Sequence, residues 1–384
     1  MVSHKNLSIM VSAGEASSDA HAAHALDALR AQGVAFESFG MGAGALGKCG
    51  TELVVDCRDL AVIGFVDVLI NYPKFLKRLR KLREHLQERK PDLLLLVDYP
   101  DFNLKLAETA KSLSIPVLFY VSPQVWAWRA GRVPRIGSLV SHMAVLFPFE
   151  VDIYEKHGIP VTYVGNPVVA DAVSALSAVE ARELMGLNPK NPVVTLLPGS
   201  RTGEIKRNLP PMLESARLIA ASIPDCQFLL PIAPTLDQSL IQQTLGSDSP
   251  ANLHCTTKDS RGAMRAGNVA LVASGTATLE TALIGTPMVV MYIVNKINYA
   301  IMKRLIKIPD ISLVNIVAGK RVVPEYIQAD ATPQAMATDV LSLLRDEPRR
   351  TVMLDELNRV KRLMGDAGAS KRVAQLIVQL TDKG

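Results

Sequence analysis

The fold follows from the stretch LLLLVDYPDFN, residues 93–103, in which five apolar residues run directly into a carboxylate and then a helical pattern. A strand without polar alternation is buried on both faces, which is typical of a parallel sheet covered by helices. Similar apolar runs at 7–11, 117–121, 142–147 and 161–164 each precede a small or polar loop. This alternation predicts a doubly wound α/β domain.

The same alternation starts again after NPKNP, residues 188–192, with strands predicted at 193–197, 227–231, 269–272 and 288–292. The chain has 384 residues, two to three times the length of a typical domain. We therefore predict two Rossmann-like domains. Their predicted bounds are 1–165 and 166–350, followed by a C-terminal helix within 351–384 that periodicity assigns to neither domain. Ligands of parallel sheets bind at the carboxyl ends of the strands, so we expect the active site in a cleft that the domains face.

The net charge of +5 is concentrated in one segment. Lys74–Lys90 holds eight Lys and Arg against two Glu, and Leu60–Ile70 before it is apolar apart from Asp67. An amphipathic basic helix with an apolar lead-in favours an anionic membrane surface, although a solvated helix face is the common alternative. Nucleic acid is disfavoured because aromatic residues are scarce in this segment. The residues predicted to contact lipid are Val62, Phe65, Val66 and Leu69.

The chain lacks motifs for several other classes of protein. No run approaches the roughly 20 apolar residues that span a bilayer, and the N-terminus has no signal-peptide pattern. Four scattered cysteines (Cys49, Cys57, Cys226, Cys255) predict buried, reduced thiols in the cytosol. The sequence contains no HExxH or GxxxxGK[ST] motif, and we expect neither a metal nor another cofactor.

Two loops have the composition of phosphate sites. ASGTATLE, residues 273–280, places Ser274, Gly275 and Thr276 at a strand-to-helix turn, where backbone N–H groups and the helix dipole favour an anion. Glu280 lies one turn further on, where a carboxylate can accept hydrogen bonds from ribose hydroxyls. LPGSR, residues 197–201, adds Ser200 and the permanent charge of Arg201. An ordinary helix cap and a surface turn remain the alternatives.

Asp98 is the main candidate for a catalytic base. It directly follows a buried strand, so partial desolvation is expected to raise its pKa. Glu15, in the loop after the first strand, is the second candidate, and helix capping is the alternative role, for which Asp101 is better placed. A third segment, residues 312–328, offers an amide, a carboxylate and cations to a sugar or phosphate, although its spacing alone does not establish binding.

Nine segments together resemble the lipid-A-disaccharide synthase family of GT-B glycosyltransferases. They run from Ser12 to Gln328 in the family's order: SAGEASSD, LAVIGFVDVL, VDYPDFN, SPQVWAW, FPFE, VGNP, LLPGSR, ASGTATLE and NIVAGKRVVPE. The resemblance implies that a 2,3-diacylglucosamine unit passes from its UDP derivative to 2,3-diacylglucosamine 1-phosphate with inversion and release of UDP. It also implies that the 1–165 domain faces acceptor and membrane, and that the 166–350 domain binds the UDP-sugar.

Residue roles follow from the same resemblance. It implies that Asp98 activates the acceptor 6-hydroxyl, that Ser200, Arg201 and the Ser274–Thr276 turn hold the diphosphate, and that Glu280 holds the ribose. It further implies that Asn315, Glu325 and Gln328 face the cleft. The apolar 60–70 segment would admit acyl chains at the cytoplasmic leaflet of the inner membrane, which makes the protein cytoplasmic and peripheral, with no nucleic-acid partner.

Two positions depart from the family pattern. Ser18 replaces the glycine of GEASGD, and Asn166 replaces the histidine of VGHP, so that position cannot become cationic. Two alternative functions stay open. One is another UDP-sugar enzyme of the same fold, either an epimerase or a transferase with a different lipid-linked acceptor. The other is a non-catalytic, membrane-associated nucleotide-binding module.

Overall fold

A computed structural model describes residues 6–57, 72–128, 130–172, 176–234, 236–246, 249–295, 299, 303 and 308–382. The chain divides into two compact units. The first contains Met1–Pro167 and Asp366–Gly384, and the second contains Val168–Gly365. Within the described residues, no helix combines the length and apolar character needed to cross a membrane.

The first unit is built on a sheet of seven parallel strands in the order β3-β2-β1-β4-β5-β6-β7. The strands are β1 (Leu7–Ala13), β2 (Phe36–Gly42), β3 (Glu52–Asp56), β4 (Leu93–Val97), β5 (Val117–Tyr120), β6 (His142–Val145) and β7 (Val161–Tyr163). The helices are α1 (Ala16–Ala31), α2 (Gly44–Lys48), α3 (Tyr72–Arg89), α4 (Pro100–Ser112), α5 (Val125–Trp128), α6 (Val133–Gly137) and α7 (Phe149–Glu155), with a 3₁₀ turn at Ala130–Arg132. The order in which the chain adds strands to the sheet reverses between β1 and β4, so that β2 and β3 lie on one side of this pair and β5 to β7 on the other. Ala13 of β1 lies opposite Val97 of β4.

The second unit repeats this design with six parallel strands in the order β10-β9-β8-β11-β12-β13. The strands are β8 (Val193–Leu197), β9 (Gln227–Pro231), β10 (Leu253–Thr256), β11 (Val269–Ala273), β12 (Met288–Tyr292) and β13 (Glu325–Ile327). The helices are α8 (Pro167–Asp171), α9 (Ala178–Leu184), α10 (Thr202–Ser222), α11 (Gln238–Leu245), α12 (Ser260–Ala266), α13 (Thr276–Ile284), α14 (Leu313–Ala318), α15 (Pro333–Arg345) and α16 (Glu347–Leu363), with a 3₁₀ turn at Gln328–Asp330. Here the reversal lies between β8 and β11. These two sheets confirm the predicted α/β class.

The C-terminal segment differs from the single helix predicted within 351–384. It forms α16 and a separate helix α17 (Ala369–Thr381), because Gly365 and Gly368 between them adopt φ values of 62° and 123° that end the helix. The apolar face of α17 joins α1 in the core of the first unit. Arg372 holds it there, donating from Nε to the carbonyl of Val164 at 2.6 Å.

The basic helix α3 uses its apolar stripe inside the protein. Leu79, Leu82 and Leu86 are buried in the core of the first unit, so this stripe is not available to insert into lipid, and that part of the expectation is wrong. The charged face points outward, with Lys74 and Lys77 exposed. The predicted lipid contacts Val62, Phe65, Val66 and Leu69 lie outside the described residues.

The cysteines are reduced, and three of the four are buried as expected. Cys255 is the exception, because it lies on β10 at the edge of the second sheet, where its side chain is exposed.

Candidate active site

Both candidate bases of the first unit lie at the point where its strand order reverses. Glu15 follows β1 and Asp98 follows β4, and β1 and β4 are neighbours. Asp98 and Tyr99 adopt φ values of 51° and 48°, a conformation that costs non-glycine residues free energy and that clusters at functional sites. The strand end therefore turns sharply and presents the Asp98 carboxyl, which is half-buried.

The environment of Asp98 disfavours its charged form. Burial raises the pKa of Asp98 to about 6, and the negative charge of Glu15 adds to this rise, while a hydrogen bond from the Tyr99 backbone opposes it. A carboxyl with this pKa is largely ionised at neutral pH and is a stronger base than an ordinary aspartate. These are the properties of a general base.

Asn103 fixes the geometry of this turn. Its side chain is fully buried, and its Nδ2 donates to the carbonyl of Asp98 at 2.6 Å. Its Oδ1 accepts a hydrogen bond from Ser12 Oγ, also at 2.6 Å, so one amide ties the end of β1 to the end of β4. A side chain added at Gly14 would lie 2.4 Å from the Tyr99 ring, so the close approach of the two loops requires glycine there.

The second unit contains a cavity of about 790 Å³ at the carboxyl ends of its strands. The residues that follow β8 and β11 line this cavity, and the strand order of the sheet reverses between these two strands. Six residues predicted to bind substrate line this cavity together: Ser200, Arg201, Ser274, Gly275, Thr276 and Glu280. The two phosphate-type loops, which are far apart in sequence, therefore form one site.

Several side chains around this cavity already form hydrogen bonds within the protein. Glu280 accepts a hydrogen bond from Arg261 Nε at 3.3 Å, which holds its carboxylate at the rim. Ser274 Oγ donates to the carbonyl of Ile311 at 3.2 Å. Asn208 is fully buried and donates to the carbonyl of Pro198, which positions the loop after β8 much as Asn103 positions the loop after β4.

The third predicted segment does not line this cavity. Asn315 is buried, and its Oδ1 accepts from the backbone N–H groups of Val322 and Val323 while its Nδ2 donates to Glu325 at 2.6 Å. Glu325 also accepts from the backbone of Ile311 and from Ser312. These contacts give both residues a structural role in folding the loop.

Gln328 donates from its Nε2 to the carbonyl of Val294 at 3.2 Å. Binding of substrate by Asn315, Glu325 and Gln328 stays a prediction. Within the described part of the chain, no cluster of three His, Cys, Asp or Glu side chains is placed to hold a metal ion.

Several polar residues at these strand ends were not among the predicted site residues. Lys258 and Tyr292 line the cavity of the second unit, and their signal was position alone, since each lies at or just after the end of a strand. In the first unit, burial raises the pKa of Glu150 to about 7. Glu150 belongs to the FPFE segment and accepts from the Phe147 backbone at 3.0 Å.

Two doubly wound parallel sheets, each with polar residues at its reversal point, define a GT-B fold. Solved structures share this fold at low sequence identity. A putative UDP-N-acetylglucosamine 2-epimerase from Listeria monocytogenes superposes with a TM-score of 0.63 at 14% identity, over 99% of this chain and 98% of that one. MurG from Acinetobacter baumannii superposes with a TM-score of 0.60 at 16% identity, over 98% and 100%.

Similarity to known sequences assigns the chain to one family with this fold. The family model described as lipid-A-disaccharide synthetase matches residues 9–378. The chain is 44% identical to the lipid-A-disaccharide synthase of Nitrosococcus oceani, over 97% of this chain and 96% of that protein. It is 41% identical to the synthase of Trichlorobacter lovleyi, over 98% of each. The chain belongs to the lipid-A-disaccharide synthase family and is a glycosyltransferase.

Proposed function

We propose that this chain transfers 2,3-diacylglucosamine from its UDP derivative onto the 6-hydroxyl of 2,3-diacylglucosamine 1-phosphate, releasing UDP and the β-1,6 disaccharide 1-phosphate. Family membership supports the coarser statement of a UDP-sugar donor and a lipid-linked acceptor. Membership of this family over residues 9–378 carries the finer proposal, and Asp98, a half-buried carboxyl with a raised pKa on a strained turn at the end of β4, supplies the general base that the reaction requires.

In this proposal, the acceptor hydroxyl attacks the anomeric carbon as Asp98 takes its proton. The bond from that carbon to the UDP oxygen breaks on the opposite side, so an α-linked donor becomes a β-linked product. Positive charge aimed at the departing diphosphate stabilises the transition state. Arg201 and the Ser274–Thr276 turn line the same cavity and supply that stabilisation, while Glu280 is left to contact the ribose.

The test is UDP release by the purified chain, with the donor supplied alone and then with the monosaccharide 1-phosphate. Release that requires the acceptor, with formation of the disaccharide, is the expected result. Turnover without acceptor would instead identify an epimerase or hydrolase, and UDP binding without turnover would identify a binding module. Asp98→Asn should lower the rate of transfer by about 10²- to 10⁴-fold. Asp101→Asn is the matched control, because Asp101 is an exposed carboxylate of the same segment that pairs with Arg132.

We further propose that α3 binds the anionic cytoplasmic leaflet of the inner membrane by charge. Its apolar stripe lies in the core, so the outward Lys and Arg side chains carry the interaction. Each such cation contributes about 1 kcal/mol near an anionic surface, and salt screens the attraction.

Co-sedimentation with vesicles measures this interaction. Wild-type protein should co-sediment with vesicles rich in phosphatidylglycerol at low salt and should dissociate from them at high salt. It should not co-sediment with vesicles of phosphatidylcholine alone. Reversal of three exposed charges of α3 (Lys74, Lys77, Arg80) should abolish binding. Reversal of three exposed charges elsewhere (Lys361, Arg362, Lys371) is the control. Equal loss in both triple variants would refute a specific role for α3.

A further inference from the structure

The carboxylate of Glu204 occupies the donors that the loop after β8 presents to the cavity. Its Oε2 accepts from the backbone N–H groups of Ser200 at 3.0 Å and of Arg201 at 3.2 Å. Its Oε1 accepts from the guanidinium of Arg201, also at 3.0 Å. The carboxylate thus takes two amides and one cation, which is the donor set that an anion would use.

The loop is shaped to admit this carboxylate. Gly199 adopts a φ of 113°, and a side chain there would lie 2.3 Å from Glu204 Oε2 and 2.7 Å from Glu204 Cβ. Glycine at this position therefore allows Glu204 to lie against the loop. Glu204 is the third residue of α10, from which a glutamate can reach back to the residue before the helix.

A second cation lies one turn along α10. Arg207 is three residues after Glu204 and therefore on the same helix face. Both charges act on Tyr292, which lines the cavity, with Glu204 raising the pKa of its hydroxyl and Arg207 lowering it. Glu204 therefore has a cation on its own helix face in addition to Arg201.

We propose that Glu204 competes with the diphosphate of the donor and of UDP for the loop after β8. The carboxylate and a diphosphate are both anions, and both require the amides of Ser200 and Arg201 and the guanidinium of Arg201. The carboxylate moves away when the nucleotide binds, and its return favours release of UDP. This inference rests on the proposed function, since it concerns the same nucleotide site.

The test compares the affinities of UDP and uridine by calorimetry for wild type and Glu204→Gln. The amide retains an acceptor oxygen for the loop but removes the competing charge. UDP should bind the variant about tenfold more tightly, which corresponds to about 1.4 kcal/mol. Uridine has no diphosphate, so its affinity should not change. In turnover, the donor KM should fall and inhibition by UDP should strengthen.

Glu214→Gln is the matched control, because Glu214 is an exposed glutamate on α10 that does not line the cavity. It should leave both affinities unchanged. Glu204→Ala removes the charge together with the cap and should also tighten UDP binding, with its thermal melt reporting the loss of the cap separately. Unchanged or weaker UDP binding by both Glu204 variants, or an equal gain for uridine, would overturn the competition. Wild-type protein that binds UDP no better than uridine would refute the diphosphate site, and with it the proposed function.

Discussion

Asp98→Asn preserves the size of a side chain whose ionisation we expect to control the reaction. Burial and the charge of Glu15 raise the pKa of Asp98 to about 6. Because a general base must be ionised in the free enzyme, kcat/KM of the wild type should rise through about pH 6. The ionised fraction grows from about one tenth to about nine tenths between about pH 5 and about pH 7, so the rate should grow nearly tenfold.

The asparagine variant should lose about 10²- to 10⁴-fold in kcat, the usual contribution of a general base. It should also lose the rise near pH 6. The same variant that loses activity should gain folding stability at neutral pH. A carboxyl whose pKa is raised by folding costs stability as the pH increases from its unfolded pKa of about 4 to its folded pKa of about 6, and this cost persists at higher pH.

The size of this cost follows from the pKa rise of Asp98. Each pKa unit corresponds to about 1.4 kcal/mol, and solvent screening of a half-buried carboxylate reduces the total to about 1–2 kcal/mol. Asp98→Asn should therefore be more stable than wild type by about that amount at pH 7, with no difference below about pH 3. Urea unfolding at the two pH values measures this effect.

Two further variants assign the titrating group. Glu15→Gln removes the neighbouring negative charge and should move the rise in kcat/KM to lower pH. Glu150→Gln is the control, because burial raises the pKa of Glu150 to about 7, close enough to produce a similar profile. Near-normal turnover by folded Asp98→Asn, or disappearance of the rise in Glu150→Gln alone, would refute the assignment of Asp98 as base.

Three other replacements test local features of the first unit. Asn103→Leu leaves the Asp98 carbonyl and the Ser12 hydroxyl without their partner, so we expect a loss of about 3 kcal/mol in urea unfolding together with lower kcat; stability like that of wild type would contradict the role of this amide. Ser18→Ala removes a buried hydroxyl that has no hydrogen-bond partner among the described residues, and it should gain about 1 kcal/mol, whereas the exposed Ser17→Ala should gain nothing. Arg372→Ala removes the hydrogen bond to the Val164 carbonyl, and hydrogen exchange should increase in α17 first; a uniform increase across the chain would argue against a local anchor.

Much of the fold was predictable from apolar runs, and the exceptions have physical causes. Strands such as β4 and β11 lie inside their sheets and read as unbroken apolar stretches. The sequence analysis missed β2, β3, β10 and β13. The strands β3, β10 and β13 lie at sheet edges, where burial is incomplete. The sequence of β2, FESFGMG, mixes polar and glycine residues, because glycine is needed at position 40, where a side chain would meet the backbone of Val11.

The residues of the candidate site could be predicted from the sequence, but most of the contacts between them could not. Asp98, Arg201 and the 274–276 turn follow apolar runs, so their positions at strand ends were readable from local sequence. Asn103 and Asn208 look like ordinary helix residues in the sequence, and only their burial against two strand ends identifies them as positioning groups. The hydrogen bonds by which Asn315 and Glu325 fold their own segment could not be read from its sequence, and binding of substrate by these residues stays a prediction.

By itself, the sequence determined the alternation of strands and helices, the restart after residue 188 and the polar residues at strand ends, because apolar periodicity and turn chemistry are local properties. The tertiary structure decided which of these residues meet. Strand order brings 15 and 98 to adjacent strands in one unit and 200 and 276 to one cavity in the other. It also returned α17 to the first unit. Such contacts depend on the packing of distant segments, for which no local pattern exists.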